Sequence, residues 1–156
     1  MRLEDEIKQK SPFKTAKERA IVNLLFTNNW MVAQQKQTFK PYGITLQQFN
    51  VLRILRGQHP EPISTSEIRD RMLDRMSDVS RIVDRLVKKK LVARKTCKSD
   101  KRLVDVIISQ DGLDLLLIID KQINLQHFAQ GISEEQAQQL NELLDKLRST
   151  TEEITE

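Results

Sequence analysis

The sequence predicts a mainly α-helical fold with one small β-hairpin, the wing, near its middle. Gly and Pro are scarce, at four each among 156 residues, which argues against a β-sandwich. Apolar residues recur at steps of three and four through both ends of the chain, as in amphipathic helices. Around Val104, Val106 and Ile108 the period changes to two, which indicates a half-buried strand. We expect residues 1–156 to form a single domain.

Capping signals divide the first part of the chain into helices. Residues 1–10 are polar and predict a frayed end or a short helical arm. A long amphipathic helix is expected within 11–40, a second from Thr45 to Gly57, and a short third from Ser64. Thr15, Thr45 and Ser64 each precede a Gln or Glu by three residues, which is the spacing of a capping box. Pro60 and Pro62 exclude helix from the loop between the second and third helices.

The next helix is expected to have one apolar and one polar face. Its apolar face carries Val79, Ile82, Val83 and Leu86, and its polar face carries Ser77, Asp78, Ser80, Arg81, Asp84, Arg85 and Lys88. Arginine can read guanine with two hydrogen bonds, and serine can bond bases or phosphates. Asp78 would repel phosphates, so we expect it to cap the helix, with base reading as the lesser alternative.

The wing is predicted from two strands, Leu91–Thr96 and Val104–Ile108, and the charged loop between them. The loop carries Lys98, Lys101 and Arg102, which could reach a DNA minor groove. Asp100 is unexpected on a surface that meets phosphates. It is explained as a brace that holds Arg102 or Arg94 by a bidentate ion pair. The alternative is an ordinary solvated hairpin.

The last third of the chain predicts two more helices. Ser109–Gly112 begins the first, and Ile123 and Phe128 are expected to extend it to Gly131. Residues 115–119 are apolar all round, so this helix must be covered on more than one side. Ser133 caps the last helix. The apolar stripes of the terminal helices, 11–40 and 113–150, need a partner surface, either the middle of the same chain or a second copy.

Basic and acidic residues are divided unevenly along the chain. From Glu67 to Arg102 there are thirteen Lys or Arg against six Asp or Glu, and from Gln110 to Glu156 there are three against ten. A basic middle followed by an acidic end suits a molecule with one surface that meets phosphates. The same counts also suit charged helices that are merely solvated, so charge alone leaves both interpretations open.

Several classes of protein are not expected. No apolar run reaches eighteen residues and the start has no apolar signal-peptide core, which predicts a cytoplasmic protein without a membrane segment. The single cysteine, Cys97, fits a reducing compartment. His59 and His127 are isolated, and no Cys/His cluster, phosphate loop or nucleophile motif occurs. We therefore expect no enzyme activity, no metal and no cofactor.

Four segments together resemble the winged helix-turn-helix of MarR-type bacterial transcription regulators. They are Ser80-Arg81-Ile82-Val83-Asp84-Arg85-Leu86, Leu91-Val92-Ala93-Arg94, Asp100-Lys101-Arg102 and Ser109-Gln110-Asp111-Gly112. The resemblance implies a DNA-binding region at 45–110, between dimerisation helices at 11–40 and 113–150. It implies a homodimer that binds a palindromic operator, with recognition helices about one turn of DNA apart, ~34 Å. It also implies a repressor that a small ligand, aromatic or phenolic, or an oxidant can release.

The resemblance also implies roles for individual residues. Ser77, Ser80, Arg81 and Arg85 would lie in the major groove of double-stranded DNA. Arg102 would enter the minor groove, with Asp100 as its brace. Rival interpretations are a nonspecific architectural DNA-binding protein and a winged helix used for protein contacts. Phe26, Trp30 and Phe49 either line an apolar ligand pocket or belong to the core.

The chain departs from the family pattern in two places. Lys90 stands where many members have glycine before the first wing strand, so that this connection is expected to be more extended or more basic. The peroxide-sensing branch has a reactive cysteine near the start of the first long helix, and this chain has none there. Cys97 lies between Lys95 and Lys98, which could lower its pKa. An incidental exposed thiol is the alternative to a redox sensor.

Overall fold

The computed structural model describes residues 2–96 and 104–149. The helices are α1 (Leu3–Glu6), α2 (Ala16–Phe39), α3 (Leu46–Gln58), α4 (Thr65–Arg71), α5 (Val79–Lys88), α6 (Gln110–Gln122) and α7 (Glu134–Ser149), and the strands are β1 (Ile63–Ser64), β2 (Val92–Thr96) and β3 (Val104–Ile108). Short 3-10 helices cover Lys40–Tyr42 and Leu125–Ala129. The chain forms two compact units, Met1–Asp120 and Lys121–Glu156. The predicted fold class, mainly helical with a small antiparallel sheet, is confirmed.

Side-chain caps begin the helices where the sequence predicts them. Thr15 accepts from the backbone N–H of Glu18 at the start of α2. Thr45 and Ser64 form complete capping boxes at the starts of α3 and α4. The hydrogen bonds that Glu67 accepts from the backbone and hydroxyl of Ser64 lower the pKa of its carboxyl group. Each cap satisfies N–H groups that the first helical turn leaves without partners.

The sheet is antiparallel, in the order β1-β3-β2. Val92 pairs with Ile108 and Thr96 with Val104, so the predicted hairpin is confirmed. The third strand, β1, was not predicted: Ile63 pairs with Val106 on the other edge of β3. The strand consists of Ile63 and the capping Ser64 alone, and two residues are too few to show a strand period in the sequence.

The core of the first unit lies between α3, α4, α5 and the sheet. Its fully buried side chains include Val51, Leu52, Leu55, Ile68, Val79, Val83, Leu86 and Val106. Ile68 on α4 and Met72, directly after that helix, are both buried. Close packing on three sides therefore holds α5 in one orientation.

The predicted extension of α6 to Gly131 is wrong. The helix ends at Gln122 and a separate 3-10 helix follows from Leu125. The side chain of Asn124 accepts from the backbone N–H of Gln126, and this local bond competes with continued α-helix. Within α6, Leu116 and Ile119 are buried while Leu117 and Ile118 are about half exposed. The described chain thus covers one side of this apolar helix.

None of the described helices combines the length and the apolar character needed to cross a membrane.

Candidate nucleic-acid interface

The two faces of α5 separate as predicted. Val79, Val83 and Leu86 have no exposed surface, and Ile82, the fourth residue of the predicted apolar face, is half-buried. Ser80, Arg81, Asp84, Arg85 and Lys88 all point to solvent from the opposite face. The buried stripe fixes the rotation of the helix about its axis, because turning it would expose apolar side chains. The outward face is therefore a fixed array of one hydroxyl, three cations and one carboxylate.

The predicted cap by Asp78 is confirmed. Its Oδ1 accepts from the backbone N–H of Arg81 at 3.1 Å. Its Oδ2 lies 3.2 Å from Nε of Arg81, so the same carboxylate also holds the guanidinium. Both side chains are more than half exposed, and such a pair is weak enough for the arginine to exchange partners.

Ser77 differs from Ser80 because its hydroxyl proton already forms a hydrogen bond within the protein. It donates to Oδ2 of Asp74 at 2.7 Å, and the residue is half-buried. Asp74 also accepts from the backbone N–H of Met76 at 3.0 Å. Ser77 can thus meet a nucleic acid only as an acceptor, while Ser80 keeps both roles.

The connection after α5 is a tight turn, so the expectation of a more extended connection is wrong. Lys90 has a left-handed backbone with φ of 62°, the conformation that favours glycine. The backbone N–H of Leu91 reaches the carbonyl of Leu86 at 3.0 Å, and that of Lys90 reaches Val87 at 2.9 Å. These bonds satisfy the last carbonyls of α5 and turn the chain directly into β2.

Ser109 and Gly112 tie the start of α6 to this turn. The hydroxyl of Ser109 donates to the carbonyl of Lys90 at 2.7 Å and accepts from the N–H of Gly112 at 3.1 Å. A Cβ on Gly112 would lie 2.3 Å from the carbonyl oxygen of Leu91. The backbone at Gly112 thus comes so close to that at Leu91 that a side chain does not fit there, and Ser109 joins the two segments by its hydrogen bonds.

Arg94 on β2 forms an ion pair with Asp84 on α5. This pair joins the wing strand to the helix. Arg94 is one of the two arginines considered as the partner of Asp100. The loop residues Cys97, Lys98, Asp100, Lys101 and Arg102 lie outside the described residues.

The model of the MarR family matches residues 42–103. A MarR transcription factor from Planctomyces limnophilus has a crystal structure that covers 88% of this chain and 98% of its own, with 30% sequence identity and a TM-score of 0.65. The chain belongs to the MarR family. It is a transcription regulator of the winged-helix type.

Two further MarR-family likenesses extend the comparison. The HTH-type transcriptional regulator MhqR of Bacillus subtilis (strain 168) is 26% identical over 108 residues, which is 68% of this chain and 73% of MhqR. A mutant MarR from E. coli, complexed with operator DNA, covers 94% of this chain and 99% of its own, with 22% identity and a TM-score of 0.73. The latter likeness shows the shared fold.

The sequence did not predict one contact of this MarR-family chain, which Lys89 makes at the end of α5. Lys89 donates from Nζ to the carbonyl oxygen of Gly43, and its Nζ lies 3.4 Å from Oε1 of the buried Gln48. The cation thus anchors the end of α5 to the start of α3. In the run Lys88-Lys89-Lys90 nothing distinguishes the lysine that turns inward from its two neighbours.

The structure separates the three aromatic residues considered for a ligand pocket. Phe49 is in the core, where its ring centroid lies 4.5 Å from that of Phe39. Phe26 and Trp30 lie on α2, where they line a groove of about 380 Å³ together with Arg2 and Arg19. The core interpretation is therefore correct for Phe49, and the other two share a groove that Phe49 does not line.

Among residues 2–96 and 104–149, no group of three His, Cys, Asp or Glu is placed to hold a metal ion.

Proposed function

We propose that this MarR-family chain is a sequence-specific repressor that binds a palindromic operator as a homodimer. The observation that carries the proposal is the rigid outward face of α5. Its serine and arginines are exposed, while Val79, Val83 and Leu86 on the opposite face are wholly buried. A major groove admits one helix whose exposed residues face base edges, and helix-turn-helix proteins place their second helix there. The proposed action is binding, without a catalytic step.

In this proposal the polar residues at the start and on the outward face of α5 make different contacts with DNA. Arg81 and Arg85 reach guanine O6 and N7 or neighbouring phosphates. Ser80 donates or accepts, and Ser77, whose proton is held by Asp74, accepts from a base amine. Arg81 exchanges its partner Asp78 for DNA, which the exposure of that pair permits.

The wing supplies the second probe. Lys98 and Lys101 meet phosphates, and Arg102 enters the minor groove with Asp100 as its brace. Two arginines, Arg94 and Arg102, were considered as the partner of Asp100. Arg94 pairs with Asp84, which supports Arg102 as that partner. The same ion pair fixes the base of the wing to the recognition helix.

Dimerisation is supported by apolar side chains that remain exposed on the long helices of each unit. They are Ile21, Leu24, Leu25 and Val32 on α2, Leu117 and Ile118 on α6, and Leu140 and Leu143 on α7. Large exposed apolar faces mark interaction surfaces, and a two-fold dimer buries the same face of both copies. We assign segments 11–40 and 113–150 to this interface within a single domain, residues 1–156.

A small aromatic or phenolic ligand is proposed to modulate binding. The groove beside Phe26 and Trp30, at about 380 Å³, is within the size range of small-molecule sites. The aromatic side chains offer stacking, and the exposed guanidinium of Arg2, only loosely paired with Glu4 at 3.8 Å, offers positive charge to a phenolate or carboxylate.

The experiment is selection of bound fragments from the genome or from a random duplex library by the full chain. The proposal expects an enriched palindrome whose half-site centres are about one helical turn apart, ~34 Å. A binding isotherm that ignores DNA sequence would favour a nonspecific architectural protein instead.

A further inference from the structure

The turn between α4 and α5 exposes two large apolar side chains. Met76 is 93% exposed and Leu73 is 86% exposed, more than any other large apolar side chain among the described residues. Apart from Ile132, the other exposed ones lie on the long helices α2, α6 and α7, where a partner helix can cover them. The side chains of this pair instead stand on a short turn directly before the recognition helix.

The turn is held in this conformation by hydrogen bonds, so the exposure does not come from an irregular backbone. The N–H of Leu73 donates to Oδ1 of Asn50 on α3 at 3.0 Å. Asp74 holds the N–H of Met76 at 3.0 Å and the hydroxyl of Ser77 at 2.7 Å. Two side chains thus fix the backbone that presents Leu73 and Met76 to solvent.

The position of the turn indicates what the apolar pair meets. In helix-turn-helix proteins the N-terminal end of the second helix contacts base edges. Met76 lies two residues before Asp78, the cap of that helix. Arg75, between the two apolar residues, and Arg81, in the first turn of α5, are both exposed and can hold phosphates beside the pair.

We propose that Met76, with Leu73 beside it, reads thymine by packing against C5-methyl groups in the major groove. The methyl group is the apolar feature of the major-groove edge of a base pair, and only thymine carries it. The arginines and serine of α5 recognise donors and acceptors, so an apolar contact adds a base that they do not read. This inference rests on the proposed function of sequence-specific DNA binding.

The test uses a duplex enriched from a random library by the full-length wild-type chain. Each symmetric pair of thymines is replaced by deoxyuridine, which lacks only the methyl group, and affinity is measured by fluorescence anisotropy. At one pair of positions the wild-type chain should lose about fourfold per half-site. Met76→Ala should bind the thymine and uracil duplexes equally, and Met76→Leu should restore part of the discrimination.

The controls separate loss of contact from loss of fold. Met76→Ala should unfold at the same temperature as the wild-type chain, because the side chain is 93% exposed. Where the variant binds too weakly, both duplexes are compared at lower salt, which raises affinity through phosphate contacts.

If the wild-type chain and Met76→Ala respond alike to every thymine replacement, the inference is overturned and the proposed function stands. A chain that enriches no sequence overturns the proposed function and this inference with it.

Discussion

Lys90 places a side chain where the backbone favours glycine. Its φ of 62° lies in the left-handed region, where a Cβ costs about 1–2 kcal/mol. The turn nevertheless forms, because hydrogen bonds from Lys90 and Leu91 close the end of α5 and Ser109 holds the Lys90 carbonyl. A cation in this place adds positive charge close to the base of the wing.

Lys90→Gly should raise the free energy of unfolding by roughly 0.5–1 kcal/mol, because relief of the Cβ exceeds the entropy that glycine loses on folding. Urea unfolding of the variant and the wild-type chain measures the difference. Lys90→Ala is the matched control, since it removes the charge and keeps the Cβ. Equal stability of the glycine and alanine variants would contradict the account.

At the residue scale, the sequence was sufficient where a role depends on near neighbours. The cap by Asp78 and the buried stripe of α5 follow from spacing of three and four residues. The bond from Ser77 to Asp74 and the inward turn of Lys89 did not follow. Both depend on the backbone of a turn or on a distant carbonyl, which periodicity does not report.

The short helix α1 is attached to α2 by one ion pair. Nε of Arg19 lies 2.5 Å from Oε1 of Glu4, and a second guanidinium nitrogen lies 3.2 Å from Oε2. This hydrogen-bonded guanidinium lowers the pKa of Glu4 from 4.5 to about 2. Leu3, the neighbour of Glu4, is buried, so the pair and one apolar contact hold α1 in place.

The attachment of α1 should therefore depend on pH. Since the pKa of Glu4 is lowered in the folded chain, the contribution is complete above pH 4.5 and is lost as pH falls through about 2. Side-chain NMR titration should place the Glu4 midpoint near 2, and Arg19→Gln should move it toward 4.5. Glu67, whose pKa is lowered by Ser64, should be unchanged in that variant. A wild-type midpoint near 4.5 would rule out the pair in solution.

At the element scale, long periodic segments with capping residues were predictable, and short or locally determined ones were not. The starts of α2, α3 and α4 are set by Thr15, Thr45 and Ser64. The end of α6 was missed because Asn124 forms a local bond that apolar spacing does not reveal. The strand β1 was missed because two residues show no period.

For the whole molecule, the proposed dimer depends on the apolar face of α2. The double substitution Leu24→Glu and Leu25→Glu should convert the dimer to monomers of 18.2 kDa, because burying carboxylates in an apolar interface is costly. Sedimentation velocity measures the change. Met76→Glu is the matched control: it makes a comparable apolar-to-acidic change outside that face and should leave the dimer intact. A monomeric wild-type chain would contradict the proposed assembly.

The central claim is that the outward face of α5 reads a DNA sequence. It is tested most directly by the ratio of affinities for the selected duplex and for a scrambled duplex of the same composition at one salt concentration. We expect a ratio of about 10³ or more for the wild-type chain. Arg85→Ala should lower that ratio by roughly 5- to 150-fold per half-site through loss of a bidentate guanine contact. A wild-type ratio near one would contradict the claim.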